Sequence, residues 1–248
     1  MTLVPHLGGG ADIALPSENL LALWYAGNGS KDHASISGSD GNPVTAWADS
    51  GSNGYDLTQA TEAAQPTYHR KLAALNNRGA VQFGGNDYLQ RTIAAGITAN
   101  LDEYTILSVG IGNAEKYWYS ENRAASVTPQ VLVNLDGAGA ANCAHRDDAA
   151  VQQISNAGAV NHAGVKRMIV AHRIGAASFA IRVDGAQLGT SVLEPTTTTI
   201  DRVTLGALGR ATPIQFLTGY LSLIAVYGAN NVATIEPIAA DFYGFALP

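Results

Sequence analysis

The residues of this chain that could do chemistry offer few sets able to run a reaction. Retaining hydrolysis of a glycosidic bond needs two carboxylates about 5–5.5 Å apart. On a strand that requires closely spaced acidic residues on one face, and no such set occurs. The nearest groups are the adjacent pairs Asp102-Glu103 and Asp147-Asp148, and adjacent strand residues point to opposite faces. Elimination chemistry would instead gather His, Tyr and Arg around an abstracted proton. Tyr117, Tyr119, Arg123, His145, Arg146, His172 and Arg173 supply those types, but they are spread over several segments. His172-Arg173 closes a strand, where a surface salt link or turn contact is the simpler role. Cys143 and His145 share a strand face at most, so a structural thiol is the simpler reading. The six His residues lack zinc spacing, and neither a Gly-x-Ser-x-Gly elbow nor a phosphate-cradling Gly-rich loop is present. No catalytic residue is assigned, and the chain is expected not to be an enzyme.

Binding chemistry is better represented. Asp49, Asn86-Asp87 and Asp184 could offer oxygen ligands to calcium, but each lies in a turn where its side chain more simply accepts from local backbone. No metal or cofactor is assigned. Tyr117-Trp118-Tyr119 form an aromatic cluster. Regular alternation puts Tyr117 and Tyr119 on one face and Trp118 on the other, so one side is core. The exposed side could stack on a sugar ring or meet a partner. A glycan- or partner-binding surface is therefore placed at Tyr117, Trp118, Tyr119, Arg123, His145 and Arg146.

The elements that must hold these groups read as strands. With 248 residues, 46% hydrophobic content and 27 Gly, the chain suits one large all-β domain. Charged residues make up 14% and the net charge is −6, which argues against a nucleic-acid partner. One cysteine excludes an internal disulfide. No window approaches the roughly 18 apolar residues of a membrane span, so no membrane insertion is expected. Met1–His6 shows no basic leader or apolar run, which points to a protein kept in the cytoplasm or carried out within a larger object.

Trp47 reads as a core anchor before a tight turn at Gly51, 79–89 as strand, glycine turn, strand, and short strand candidates recur at 19–25, 104–111, 116–120, 130–135, 142–146, 151–154 and 166–172. In Phe179-Ala180-Ile181-Arg182-Val183 the apolar residues alternate, and Asp184-Gly185 supplies the positive φ of a tight hairpin. Tyr220–Tyr227 is apolar on both faces toward its end, as an interior strand covered on two sides would be. Thr234 is the expected cap of one short helix whose shared face is Ile235, Ile238 and Phe242, ended by Gly244. Residues 1–16 read as a glycine-jointed arm that docks on the domain or on a neighbouring chain, and 17–248 as the domain.

These motifs resemble a known family. Ile181-Arg182-Val183-Asp184-Gly185, then Val203-Thr204-Leu205-Gly206, Phe216…Gly219, the strand Tyr220–Tyr227 and the terminal helix are similar to the C-terminal block of laminin-G-like, concanavalin A-like jelly rolls. Val44…Trp47-Ala48-Asp49-Ser50-Gly51, Gln65-Pro66-Thr67 and Ala80-Val81-Gln82-Phe83-Gly84-Gly85 look like the version in bacterial and phage surface proteins. The resemblance spans about Leu20 to Phe242 and implies two antiparallel sheets packed face to face, an all-β jelly-roll sandwich with a short C-terminal helix. Such domains mostly bind glycans or proteins. The resulting expectation is a non-enzymatic structural or adhesion module, a virion component such as a capsid decoration or tail protein, with other virion proteins or further copies of itself as partners. The alternatives are a carbohydrate-binding module of a bacterial surface or secreted protein, and a polysaccharide lyase or hydrolase.

Overall fold

The computed structural model describes residues 12–126, 128–175, 178–191 and 197–248, with the side chain of Gln153 excepted. In chain order the strands are β1 (Leu20–Tyr25), β2 (Ala46–Trp47), β3 (Leu57–Thr58), β4 (Thr67–Leu72), β5 (Arg78–Gly84), β6 (Leu89–Thr92), β7 (Tyr104–Gly112) and β8 (Lys116–Asn122). They continue as β9 (Gln130–Leu135), β10 (Ala141–Arg146), β11 (Gln152–Asn156), β12 (Arg167–Arg173), β13 (Phe179–Val183), β14 (Ala186–Ser191), β15 (Arg202–Leu205) and β16 (Thr218–Tyr227), followed by helix α1 (Val232–Tyr243). The first sheet runs β14-β13-β12-β7-β16-β5-β4, with β1 also paired to β16, and the second runs β11-β10-β9-β8-β15-β6-β3-β2. All named strand pairs are antiparallel. This is the two-sheet antiparallel sandwich with one C-terminal helix that the sequence predicts.

The main core lies between the sheets and includes Trp24, Trp47, Phe83, Tyr104, Trp118, Tyr119, Phe179 and Ile224, all at zero exposure. A second core lies on the far side of the first sheet, where Ile235, Ala239 and Tyr243 of α1 pack on Leu107, Val109, Met168, Val170, Leu223, Ala225 and Tyr227. β16 feeds both layers: Leu221, Ile224 and Val226 enter the first, Leu223, Ala225 and Tyr227 the second. A register shift between Leu221 and Leu223 interrupts the alternation there. Thr218–Leu221 pairs with β5, and Leu223–Tyr227 with β1. Ser222, at the shift, anchors the branch through hydrogen bonds to Gly79 O and the Tyr243 hydroxyl.

The Asp184-Gly185 turn joins β13 and β14 with φ of 50° and 87°, the two positive values of a type I′ turn. Asp184 also accepts from Arg167 Nη1 at 2.7 Å and Met168 N at 2.9 Å. Gly244, at φ 68°, ends the helix as expected, but the cap position is Asn231, just before Val232, rather than Thr234. Its start is fixed from outside, where Asn231 N donates to Thr105 Oγ1 at 3.1 Å. Ile235 is fully buried, while Ile238 and Phe242 are only partly buried. His172 and Arg173 depart from their expected surface role, being 3% and 4% exposed, because β12 is covered on both faces. Residues 1–11 of the expected arm lie outside the described residues. Ile13 and Leu15 are buried in the second core, and the Tyr227 hydroxyl donates to Pro16 O at 3.1 Å.

Candidate functional site

The helix covers one outer face of the sandwich, and the outer face of the second sheet carries the polar side chains. On β9 the inward residues are Val131, Val133 and Leu135, so Gln130, Leu132 and Asn134 point outward. On β10 Ala141 and Cys143 face the core, so Asn142, Ala144 and Arg146 point outward. Strand register aligns these residues in rows. Tyr117, Asn134, Asn142 and Asn156 form one. Ser120, Leu132, Ala144 and Ile154 form the next, and Arg202, Asn122, Gln130, Arg146 and Gln152 the third. No acidic residue stands in these rows, in a chain of net charge −6.

The aromatic cluster reaches this face differently from the regular alternation. A register shift between Tyr117 and Tyr119 makes a bulge, so that Tyr117 pairs with Asn134 and Tyr119 with Val133. The extra residue returns Trp118 and Tyr119 to the same side, and both are fully buried in the main core. Tyr117 alone stays outside, half-buried. Of the six residues predicted to bind, Tyr117 and Arg146 thus share the outer face, Arg123 is exposed in the turn after β8, and Trp118, Tyr119 and His145 are interior.

Residues that sequence reasoning did not select complete the face. Segment 207–210 folds back over β8 and β15: Ser120 Oγ donates to Ala207 O at 2.8 Å, Gly209 N donates to Ser120 Oγ and Asn122 Oδ1 at 3.2 Å, and Arg202 Nη1 donates to Arg210 O at 2.6 Å. A Cβ on Gly209 would lie 2.0 Å from Thr204 Oγ1, so only glycine permits this approach. The fold-back brings the Arg210 charge to Tyr117. Burial raises the Tyr117 hydroxyl pKa, and the Arg210 and Arg146 guanidiniums pull it back down. Beside it, Asn134 Oδ1 and Asn142 Oδ1 are buried with no hydrogen-bond partner among the described residues, Asn134 being 5% exposed. Polar outward positions alternating with apolar ones were a signal for Gln130 and Asn134. Nothing local marks Arg210.

The interior groups form separate networks. Glu121 is fully buried and accepts from Thr98 N at 3.1 Å, Thr98 Oγ1 at 2.6 Å and the Tyr119 hydroxyl at 2.7 Å. Burial raises its pKa against those three donors. His145 contacts the Tyr104 hydroxyl through Nδ1 at 3.2 Å and Thr198 Oγ1 through Nε2 at 3.0 Å. Burial first, and the Arg173 charge second, lower its pKa to about 4. Cys143 is buried, and desolvation raises its thiol pKa.

The calcium candidates are engaged separately with donors. Asp49 accepts from Leu23 N, Gly51 N and Tyr55 N at 2.7–3.0 Å, Asp87 from Gly84 N at 2.5 Å, and Asp184 from Arg167 and Met168. Asn86 Nδ2 donates to Ala63 O at 2.8 Å. Among the described residues no three His, Cys, Asp or Glu side chains gather as metal ligands, and no helix is long and apolar enough to cross a membrane.

No protein-family model and no curated protein matches this sequence. Solved structures do resemble it. The binding domain of Paraclostridial Mosquitocidal Protein 1 aligns with a TM-score of 0.64 at 10% identity over 92% of this chain and 56% of that one. The CBM40 of the Ruminococcus gnavus IT-sialidase, bound to α2,3-sialyllactose, aligns at 0.50 and 15% identity over 61% of this chain and 98% of that one. The leech intramolecular trans-sialidase, complexed with 2,7-anhydro-Neu5Ac, aligns at 0.50 and 16% identity over 64% of this chain and 27% of that one. This chain spans about a quarter of the sialidase chains it resembles and just over half of the toxin chain. At these identities the likeness is one of fold, the β-sandwich.

Proposed function

We propose that this protein is a non-catalytic glycan-binding module that takes an acid-bearing sugar on the outer face of its second sheet. One observation carries the reading: Asn134 Oδ1 and Asn142 Oδ1 are buried without a partner in the same row as the half-buried Tyr117 ring, under the charges of Arg146 and Arg210. A buried acceptor left unmade costs about 1–3 kcal/mol, and a sugar hydroxyl would relieve that cost once the amide turned toward the surface. The Tyr117 ring supplies a flat apolar surface with a polar edge. Guanidinium groups attract carboxylates through charge-assisted hydrogen bonds, and Arg146 is braced on this face by Gln152 Oε1, which accepts from its Nε and Nη2 at 3.1 and 2.6 Å. The sialyllactose held by the similar CBM40 is an acid-bearing glycan, which supports the same ligand class here.

The non-catalytic part rests on access. Glu121 and His145, two interior groups with pKa values displaced by burial, stand at zero exposure between the sheets, away from the outer face. Glycan binding goes with a place on a bacterial surface or in a secreted protein, and these neighbours favour that alternative over the expected virion role. The finer likeness to laminin-G and concanavalin A domains belongs to the same proposal.

An array of acid-bearing and neutral glycans tests it. The full chain is expected to retain acid-bearing glycans, and Tyr117→Ala and Arg146→Ala to lose them while melting normally. A blank array, or unchanged binding by both variants, overturns the reading.

A further inference from the structure

The second sheet carries another concavity, at its β3–β6 end, outside the site just described. It encloses about 650 Å³ and is lined by Thr58, Gln59, Tyr88, Gln90, Arg91 and Thr92, among others, within the range of small-ligand sites. We propose that this groove is a second sugar site, one that takes an uncharged pyranose.

Three observations lead there. Tyr88 is half-buried, and its ring is braced by Phe216 at 6.0 Å between centroids, which gives a fixed aromatic surface. Gln90 Oε1 is buried with no hydrogen-bond partner among the described residues, and it stands directly across from Thr58, with Thr92 next on its own face. The wall is already formed: Gln59 Nε2 donates to Tyr88 O at 3.3 Å, Thr61 N to Gln59 Oε1 at 2.9 Å, and Gln65 Nε2 to Gln59 O at 3.0 Å. A ring, an amide and two hydroxyls on a pre-ordered wall match the apolar face and hydroxyl rim of a sugar.

The charges decide the class. Arg91 Nη1 donates to Gly54 O at 2.6 Å, and Asp56 Oδ1 accepts from Asp49 N at 2.9 Å, so both ionised side chains of this groove are bound to backbone. The groove, on β3 and β6, and Tyr117, on β8, lie on one face of the second sheet, with β15 and the overlying segment 207–210 between them. At about 4.8 Å per strand, β6 and β8 are roughly 10 Å apart.

Titration calorimetry of the full chain with cellohexaose, maltohexaose, xylohexaose, mannohexaose and lacto-N-neotetraose tests the groove. At least one is expected to bind, at least tenfold more weakly in Tyr88→Ala and Gln90→Ala and within twofold of the parent in Tyr117→Ala. The Gln90 side-chain Oε1 has no hydrogen-bond partner among the described residues, so Gln90→Ala keeps the test decisive should Tyr88→Ala unfold. If none of the five binds, or if Gln90→Ala leaves binding unchanged, the inference is wrong. Retention of acid-bearing glycans in that case leaves the Tyr117 site standing. Neutral binding with no acid-bearing glycan retained would remove that site and keep this one.

Discussion

Trp118 and Tyr119 are consecutive residues of one strand, yet both side chains are fully buried on the same side of the sheet. The bulge between Tyr117 and Tyr119 makes this possible, and it leaves Tyr117 alone on the outer face opposite Asn134. The local irregularity separates a core anchor from a candidate contact residue within three positions. Replacing each member of the trio should therefore have a different consequence.

Trp118→Ala removes a large ring from the main core and should cost about 3–5 kcal/mol of unfolding free energy. Tyr117→Ala should change stability by less than about 1 kcal/mol while weakening glycan retention at least tenfold. Urea unfolding followed by fluorescence separates the two, and equal destabilisation by both would contradict the placement of Tyr117 outside.

Glu121 satisfies Thr98 N, Thr98 Oγ1 and the Tyr119 hydroxyl. Glu121→Ala would leave those donors unpaired in the interior, at a cost of about 2–4 kcal/mol. Glu121→Gln keeps one acceptor oxygen and sheds the buried charge, so it should cost markedly less. Chemical unfolding of the two variants at pH 7 checks the order.

His145 and His172 are both held at a pKa of about 4 by burial first and by the Arg173 and Arg182 charges second. Unfolded, each returns to about 6.5, so between those values the unfolded chain binds more protons than the folded one. Stability should fall as pH drops from about 6.5 to about 4 and level off below, by roughly 3 kcal/mol at most for each histidine. Glu121 has the opposite sign: its raised pKa makes its contribution largest in acid and diminishes it as pH rises through the folded value. His172 lies under the helix layer with neither ring nitrogen hydrogen-bonded among the described residues. His172→Leu should flatten the acid limb of a stability–pH curve, and an unchanged limb would show that His172 does not contribute to it.

The helix is tied to the first sheet by Arg182 Nε, which donates to Glu236 Oε1 at 2.8 Å, with the Glu236 side chain 5% exposed. Arg182→Ala would strand a buried carboxylate and should cost about 3 kcal/mol or more. Loss of helical circular dichroism before the β signal on heating would locate the damage at α1.

Much of the scaffold is legible in the sequence because its signals are local. Asp184-Gly185 states its own turn, Gly244 its own helix end, and Leu221–Tyr227 its two-sided burial. The bulge at Trp118 is not local: its register is set by Val133 and Asn134 across the ladder, which no spacing within β8 reveals. The helix cap moves from Thr234 to Asn231 because Thr105, far away in the chain, holds the Asn231 amide. Arg210 joins the candidate site only through the fold-back on Ser120, Asn122 and Arg202. The aromatic cluster at 117–119 is legible in the sequence. Which of its rings faces outward depends on tertiary pairing.

The most direct test of the account is where a bound glycan lands. Amide and side-chain NMR shifts of the full chain, titrated with the acid-bearing glycan that the array retains best, should change most at Tyr117, Asn134, Asn142 and Arg146. Changes confined to the helix-covered face, or no change at any residue of the Tyr117–Asn134–Asn142 row, would contradict it.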